Sequence, residues 1–177
     1  MNVFLGNKKI QLVGKRPKLG NELPLVPKFK GVHNTKQKFD EIFINKGYFF
    51  ISTLPNVKSH ACGAEVYDLE ILLSEKGIDA KICHISSDGK SSWSEVKKLH
   101  PNLKGLEFSL DGCDKEMVQN FKESLGIGVT SSHRLAHGIF AYKDGKLVKS
   151  LIPKQQYGVP NIKKFINELL SMKKKFT

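Results

Sequence analysis

The sequence predicts an α/β three-layer sandwich, with a mixed central sheet, helices on both faces and an N-terminal β-hairpin. Three observations carry this expectation. Tyr48 to Leu54 and Ala80 to Ser86 are apolar runs without polar alternation, the mark of central strands covered on both sides. Stretches of helical spacing separate these and later strand-like runs, so α and β alternate. A length of 177 residues suits a single domain, with a basic tail from about Met172.

The elements follow in order. Val3 to Leu5 and Ile10 to Val13 flank Gly6-Asn7-Lys8-Lys9 and read as a hairpin. Pro17, Pro24 and Pro27 then make the segment from Arg16 to Lys30 a crossing loop or edge strand, because proline donates to no ladder. The strand Tyr48 to Leu54 stops at Pro55. Val66, Leu69, Leu72 and Leu73 recur at helical spacing as far as Lys76-Gly77, where glycine ends the helix. After the strand Ala80 to Ser86 come a weakly helical segment around Trp93 to Leu99, a short strand near Leu106 to Leu110 and a helix from about Lys115 to Leu125. Ile139 to Tyr142 and Lys146 to Leu151 flank the turn Lys143-Asp144-Gly145. Ile162 to Met172 closes the chain as an amphipathic helix. A central parallel pair within a mixed sheet makes the sandwich thioredoxin-like.

Apolar residues at 40% and charged residues at 26% exclude a disordered or fibrous chain. No apolar run approaches the ~20 residues that span a bilayer, and Met1 to Leu12 is too short and polar for a signal peptide, so the expected location is cytoplasmic, without membrane contact. The net charge of +12 raises the possibility of nucleic-acid binding. The lysines are scattered, however, arginines occur only at positions 16 and 134, and no basic face with interleaved aromatics is apparent, so a solvated surface is expected and no nucleic-acid partner. Three cysteines without a C-x-x-C pair point away from a disulfide framework or a zinc knuckle and towards one chemically used thiol.

The candidate for that thiol is Cys62, which the local chemistry reads equally as a nucleophile or as an inert small side chain buried under a helix. It falls in the first turn of a helix, where unpaired backbone N–H groups and the positive end of the helix dipole favour a thiolate. Lys58 and His60 add basic groups nearby. Ser59, one turn earlier, is either an N-cap or a donor to a reacting oxygen, and Pro55 ends the strand and narrows access for water. Cys83, inside a core strand, reads as structural. Cys113, in Asp111-Gly112-Cys113-Asp114, reads as a thiol in a polar turn, dulled by its two carboxylates.

Pro55, Ser59 and Cys62 resemble the peroxiredoxin active-site pattern of proline, three residues, threonine or serine, two residues, cysteine. The resemblance runs over most of the chain and points to a divergent member of the thiol peroxidase branch, through the hairpin Val3 to Val13, the Gly20 to Pro24 approach, Ile85-Ser86-Ser87-Asp88 and Leu135-Ala136. It implies a homodimer that reduces hydrogen peroxide and organic hydroperoxides through a cysteine sulfenic acid. A thioredoxin-like protein or a small thiol is the implied reductant, and no metal or organic cofactor is needed.

Two positions depart from that pattern. His137 stands where the family carries an arginine, and the nearest arginine, Arg134, fits the site only from a loop, because an odd offset in a strand changes faces. Lys97 stands near the place of the usual resolving cysteine, which leaves Cys113 as the candidate internal resolving thiol. The rival expectation is a catalytically degenerate redox sensor or binding module on the same fold.

Overall fold

The computed structural model describes residues 1–43 and 46–175, without the side chains of residues 173–175. Its elements are β1 (Asn2–Leu5), β2 (Lys8–Val13), α1 (Phe39–Ile42), β3 (Tyr48–Leu54), α2 (His60–Glu75), β4 (Ala80–Ser86), α3 (Lys90–Leu99), β5 (Leu106–Ser109), α4 (Lys115–Leu125), β6 (Gly128–Val129), β7 (Gly138–Lys143), β8 (Lys146–Leu151) and α5 (Ile162–Lys175). Among the described residues no helix is long and apolar enough to cross a membrane.

The main sheet has the strand order β5-β4-β3-β7-β8. β3 pairs in parallel with β4, and β4 with β5, while β7 runs antiparallel to both β3 and β8. The expected parallel pair is therefore a parallel triple, because the short run at Leu106 extends it. This is the predicted sandwich with a mixed sheet. The β7–β8 turn is Asp144-Gly145 with φ of 51° and 81°, and two central residues at positive φ match the right-handed twist of the strands they join.

The N-terminal hairpin is present with a tighter turn than expected, of only Gly6 and Asn7 between β1 and β2. It recruits β6 into a second, three-stranded sheet. Neither β6 nor α1 carries a sequence signal, since two and four residues are too short to show a period. The backbone of α5 continues three residues beyond Met172, to Lys175. The side chains of that basic end lie outside the described residues.

Both faces of the sheet are buried, which is why β3 reads as a continuous apolar run. On one face α4 and α1 pack Phe121, Leu125 and Phe39 against Phe49, Ile51, Cys83, Ile85 and Phe108. Phe39 is the hub, with ring centroids 6.1 Å from Phe29, 5.7 Å from Phe49 and 5.7 Å from Phe108, all edge-on. On the other face α2 and α5 pack Leu69, Leu73, Phe165 and Ile166 against Phe50, Ile139 and Ala141. Towards the C-terminal end of β3, α2 and α3 enclose Leu54, Cys62, Val66, Trp93 and Val96.

Candidate active site

Pro55 follows the last residue of β3, and the chain crosses to α2 through Asn56, Val57 and Lys58. Ser59 caps that helix, its hydroxyl oxygen accepting from Cys62 N–H at 3.1 Å. This satisfies one of the donors that every helix start leaves open and sets the cysteine in the first turn, at the positive end of the dipole. Cys62 Sγ turns inward, so the residue is 1% exposed.

His137 meets it there. It sits in the segment just before β7, and its Nε2 lies 3.8 Å from Cys62 Sγ. Three contacts hold this segment. Thr53 Oγ1 donates to the carbonyl of Ala136 at 2.9 Å, and Gln156 Oε1 accepts from His137 N–H at 2.6 Å. Gln156 Nε2 donates to the carbonyl of Pro153 at 2.8 Å, which anchors the glutamine itself.

The other ring nitrogen of His137, Nδ1, lies 3.2 Å from Glu65 Oε1, and Ser52 Oγ donates to Glu65 Oε2 at 3.1 Å. Glu65 follows Cys62 by three residues on α2, so the helix places both on one inward-facing side. Serine, carboxylate, imidazole and thiol thus form one buried chain. Burial pushes the Glu65 carboxyl above its ordinary value, against the opposing pull of His137. For His137 burial acts against the charged ring, yet its bonds and charge interactions with Cys62 and Glu65 outweigh that and push it up to about 10. The arrangement can hold an imidazolium beside the sulfur at neutral pH.

Arg134 takes a different place. It does lie in a loop, but its Nη1 donates to the carbonyl of Pro55 at 2.5 Å and stands 3.6 Å from Asp88 Oδ1. Asp88 Oδ2 accepts from Val57 N–H and from Ser86 Oγ, both at 2.9 Å. The arginine therefore clamps the strand-to-helix loop to the end of β4, and of the two side chains it is His137 that reaches the sulfur. Lys58 and His60 do not serve the thiol as expected: Lys58 turns outward to Glu95 at 3.4 Å, and His60 is exposed.

The other two cysteines lie elsewhere. Cys83 is fully buried in β4, and burial drives its thiol far above the ordinary range. Cys113 is half-buried, with Sγ donating to the carbonyl of Ser109 at 3.4 Å. Its thiol is raised by burial first and by Asp111 second, so burial outweighs the carboxylate effect expected from its turn. Lys97, on α3, reaches the carbonyl of Leu103 at 3.4 Å. Among the described residues no group of three or more His, Cys, Asp or Glu side chains is placed to hold a metal ion.

Sequence reasoning missed Glu65, Ser52 and Gln156. Glu65 had a usable signal, a carboxylate one turn from the cysteine on the face of the helix that also carries Val66 and Leu69. Gln156 had none, since it comes from a connecting segment far along the chain.

No family model matches the chain, and no curated protein sequence does. Solved structures do. A thiol peroxidase from Chromobacterium violaceum superposes with a TM-score of 0.79 at 17% identity, over 100% of this chain and 99% of that one. A peroxiredoxin-like protein from Aquifex aeolicus gives 0.75 at 18% identity, over 96% of each chain. The reduced 2-Cys peroxiredoxin of Plasmodium vivax gives 0.64 at 15% identity, over 89% of this chain and 98% of that one. The chain has the thioredoxin-like fold of these proteins throughout, with a sequence far removed from theirs.

Proposed function

We propose that the chain is a thiol peroxidase in which Cys62 attacks the peroxide O–O bond. The observation that carries this reading is the 3.8 Å approach of His137 Nε2 to Cys62 Sγ, backed by Glu65 at 3.2 Å. His137 takes the thiol proton, leaving thiolate and imidazolium side by side. The sulfur then bonds to one peroxide oxygen, the O–O bond breaks, and the leaving hydroxide or alkoxide takes the proton back from His137 as water or alcohol. Cysteine is oxidised to sulfenic acid and the peroxide is reduced, with no net proton exchanged. Histidine thereby does the work assigned to arginine in the family pattern, as a cation that can also carry the proton. Ser59 holds the helix start, and Pro55 with Arg134 holds the loop that leads to it.

Recycling calls for an external thiol, a thioredoxin-like protein or a small thiol, that attacks the sulfenic acid. Cys83 is buried in the sheet and Cys113 is held to its own turn, which favours a one-cysteine cycle over an internal disulfide. A homodimer in the cytoplasm is part of the same proposal, and sedimentation of the reduced protein tests the dimer.

Stopped-flow oxidation of the reduced protein by hydrogen peroxide and by a bulkier hydroperoxide, with Cys62→Ser as control, tests the activity. Rates far above those of a free thiol, lost in the variant, are expected; free-thiol rates would make the chain a sensor or binding module. Intact mass after one equivalent of peroxide tests the cycle. A gain of one oxygen that dimedone traps at Cys62 supports it, whereas a loss of two hydrogens that vanishes in Cys113→Ser replaces it with a disulfide.

A further inference from the structure

The main-chain groups of His137 lie where a ladder ends. The β7–β8 pairing stops at Ile139 and Leu151, and the same register carried two residues further would set His137 against Pro153. Proline has no N–H to give, so the ladder cannot run on. The side chain of Gln156 fills the gap instead. Its Oε1 accepts from His137 N–H at 2.6 Å, while its Nε2 donates to the carbonyl of Pro153 at 2.8 Å and stands 3.5 Å from the carbonyl of His137. Gln156 is 7% exposed, so one buried amide does for His137 what a strand partner would do.

Gln156 is in turn fixed by the N-terminal hairpin. Phe4 N–H donates to the carbonyl of Lys154 at 2.7 Å, and Gln156 N–H donates to the carbonyl of Phe4 at 2.6 Å, which lays this segment parallel against β1. In extended backbone neighbouring side chains point to opposite sides, so Gln155 turns outward where Gln156 turns inward. Gln155 grips the hairpin turn: its Oε1 accepts from Gly6 N–H at 2.9 Å, and its Nε2 donates to the carbonyl of Gly6 at 3.1 Å. The same small sheet holds the chain just before the histidine. Ala136 N–H donates to the carbonyl of Ile127 at 2.8 Å, and Leu135 bridges to Gly128 of β6. The segment that carries His137 is thus held by β1 and β6 as well as by Thr53 of β3.

We propose that Gln156 is a positioning residue for the thiol site: seated between His137 and Pro153 and fixed from behind by the hairpin, its amide holds the imidazole within reach of Cys62 and Glu65. The proposal rests on the reading of Cys62 and His137 as the reacting pair, and it gives the hairpin, far from the thiol in sequence, a part in the chemistry. The imidazole has two contacts to keep, 3.8 Å to Cys62 Sγ and 3.2 Å to Glu65 Oε1, and both partners belong to α2 and not to its own strand. Its place is therefore set by where its main chain is held. A displacement of about 1 Å at a reacting group can cost about 10²-fold in rate.

In protein carrying isotope-labelled histidine, the ring nitrogen chemical shifts of His137, assigned by their loss in His137→Asn, report its contacts with Glu65 and Cys62 without involving peroxide. Gln156→Leu, close in size, should move both shifts towards those of a free imidazole and slow the oxidation of Cys62 by roughly 10–10²-fold. Gln156→Glu, which keeps an acceptor for His137 N–H, should bring the shifts most of the way back, a rescue that a glutamine serving only the fold would not show. Gln155→Ala, an exposed change that frees the hairpin turn, should move them in the same direction by less. Unchanged ring shifts in folded Gln156→Leu would overturn the proposal and leave the glutamine as a brace at the end of the β7–β8 ladder. If Gln156→Leu does not fold, Gln155→Ala decides, and unchanged shifts there overturn the idea equally. Peroxide oxidation measured alongside separates the two readings. Ring shifts that move in a protein whose wild type ignores peroxide keep the positioning and lose the peroxidase, while a fast wild type with unmoved shifts loses only the positioning.

Discussion

The two faces of the central sheet are both buried, yet they are built from different materials. Under α4 and α1 the sheet shows Phe49, Ile51, Cys83, Ile85 and Phe108, in an aromatic cluster with Phe29, Phe39 and Phe121. Under α2 it shows, beside the apolar Phe50, Ile139 and Ala141, the polar Ser52, His84, Ser86 and Glu107, each with 6% exposure or less, and the helix answers with Glu65. The first face gains its stability from apolar area and edge-on rings. On the second, Ser52, Glu65 and His137 cost free energy to bury and are held by one another and by the thiol. The second face therefore joins an apolar half, where α2 and α5 pack on Phe50, Ile139 and Ala141, to a polar half that carries the reactive groups, and the aromatic face and the reactive half can be attacked separately.

The largest expected effect is on the reactive face. Cys62→Ser should abolish rapid peroxide consumption, while the thermal midpoint moves little, because serine is close in size and the Ser59 cap is untouched. The counterpart on the other face is Phe39→Ala, expected to cost about 3–5 kcal/mol of stability by urea titration, as truncation of a core phenylalanine does. The rate of Cys62 oxidation in the folded fraction should be unchanged. If Phe39→Ala slowed the chemistry as much as it weakened the fold, the division between the faces would be wrong.

Next in size is His137→Ala, with an expected fall of roughly 10²–10⁴-fold in the oxidation rate, the range for a positioned proton-transfer group. The pH dependence sharpens this. A free histidine loses its charge near 6.5, but Cys62 and Glu65 hold the His137 proton up to about 10. Peroxide reactivity should therefore persist through pH 7–8 and decline only as pH rises towards about 10. The linked stability has the same sign: a group whose pKa is raised on folding stabilises fully below 6.5 and loses that contribution as pH rises through about 10. Denaturant midpoints that stay flat across this window would show that His137 is not held charged.

Much of the fold was legible because its strong elements are long and bounded by punctuation. β3, β4, α4 and β8 begin or end within a residue of proline, glycine or aspartate signals, and Asp144-Gly145 announced its hairpin. β6 and α1 were not legible, since their pairing and packing come from distant partners and not from local period. The site was legible at Pro55, Ser59 and Cys62, which lie in one short segment. The choice between Arg134 and His137 was left open because a strand offset alone cannot say where a loop folds back. Glu65 escaped notice because a lone carboxylate on an apolar helix face reads as an error in the pattern until its partner from another part of the chain is in place.

A smaller effect is expected at that carboxylate. Glu65→Gln keeps the size and the hydrogen bond to Ser52 but removes the charge that holds His137, so the imidazole should lose its proton at lower pH. A fall of about tenfold is expected on the alkaline side, the equivalent of one pH unit of lost interaction, with little change at neutral pH, where a His137 proton held up to about 10 in the intact site stays in place. The alkaline decline should also begin earlier. An unchanged profile would mean that Cys62 alone, without Glu65, sustains the charge on His137.

The smallest effect is expected at Arg134, which serves the reactive face without touching the sulfur. Its guanidinium ties the carbonyl of Pro55 to Asp88, and Asp88 holds Val57 N–H, so the clamp fixes the loop that delivers Ser59 and Cys62. Its side chain is 39% exposed, and solvent therefore screens the ion pair to a modest contribution. Arg134→Ala should lower stability by about 1 kcal/mol and the oxidation rate only a few-fold, with the pH profile unmoved because His137 keeps its partners. Arg134→Lys, which restores charge but not the planar fork, should recover only part of the rate. A loss as large as that of His137→Ala, or a shifted profile, would place the arginine's charge at the sulfur during the reaction and return to it the role that the resting geometry gives to histidine.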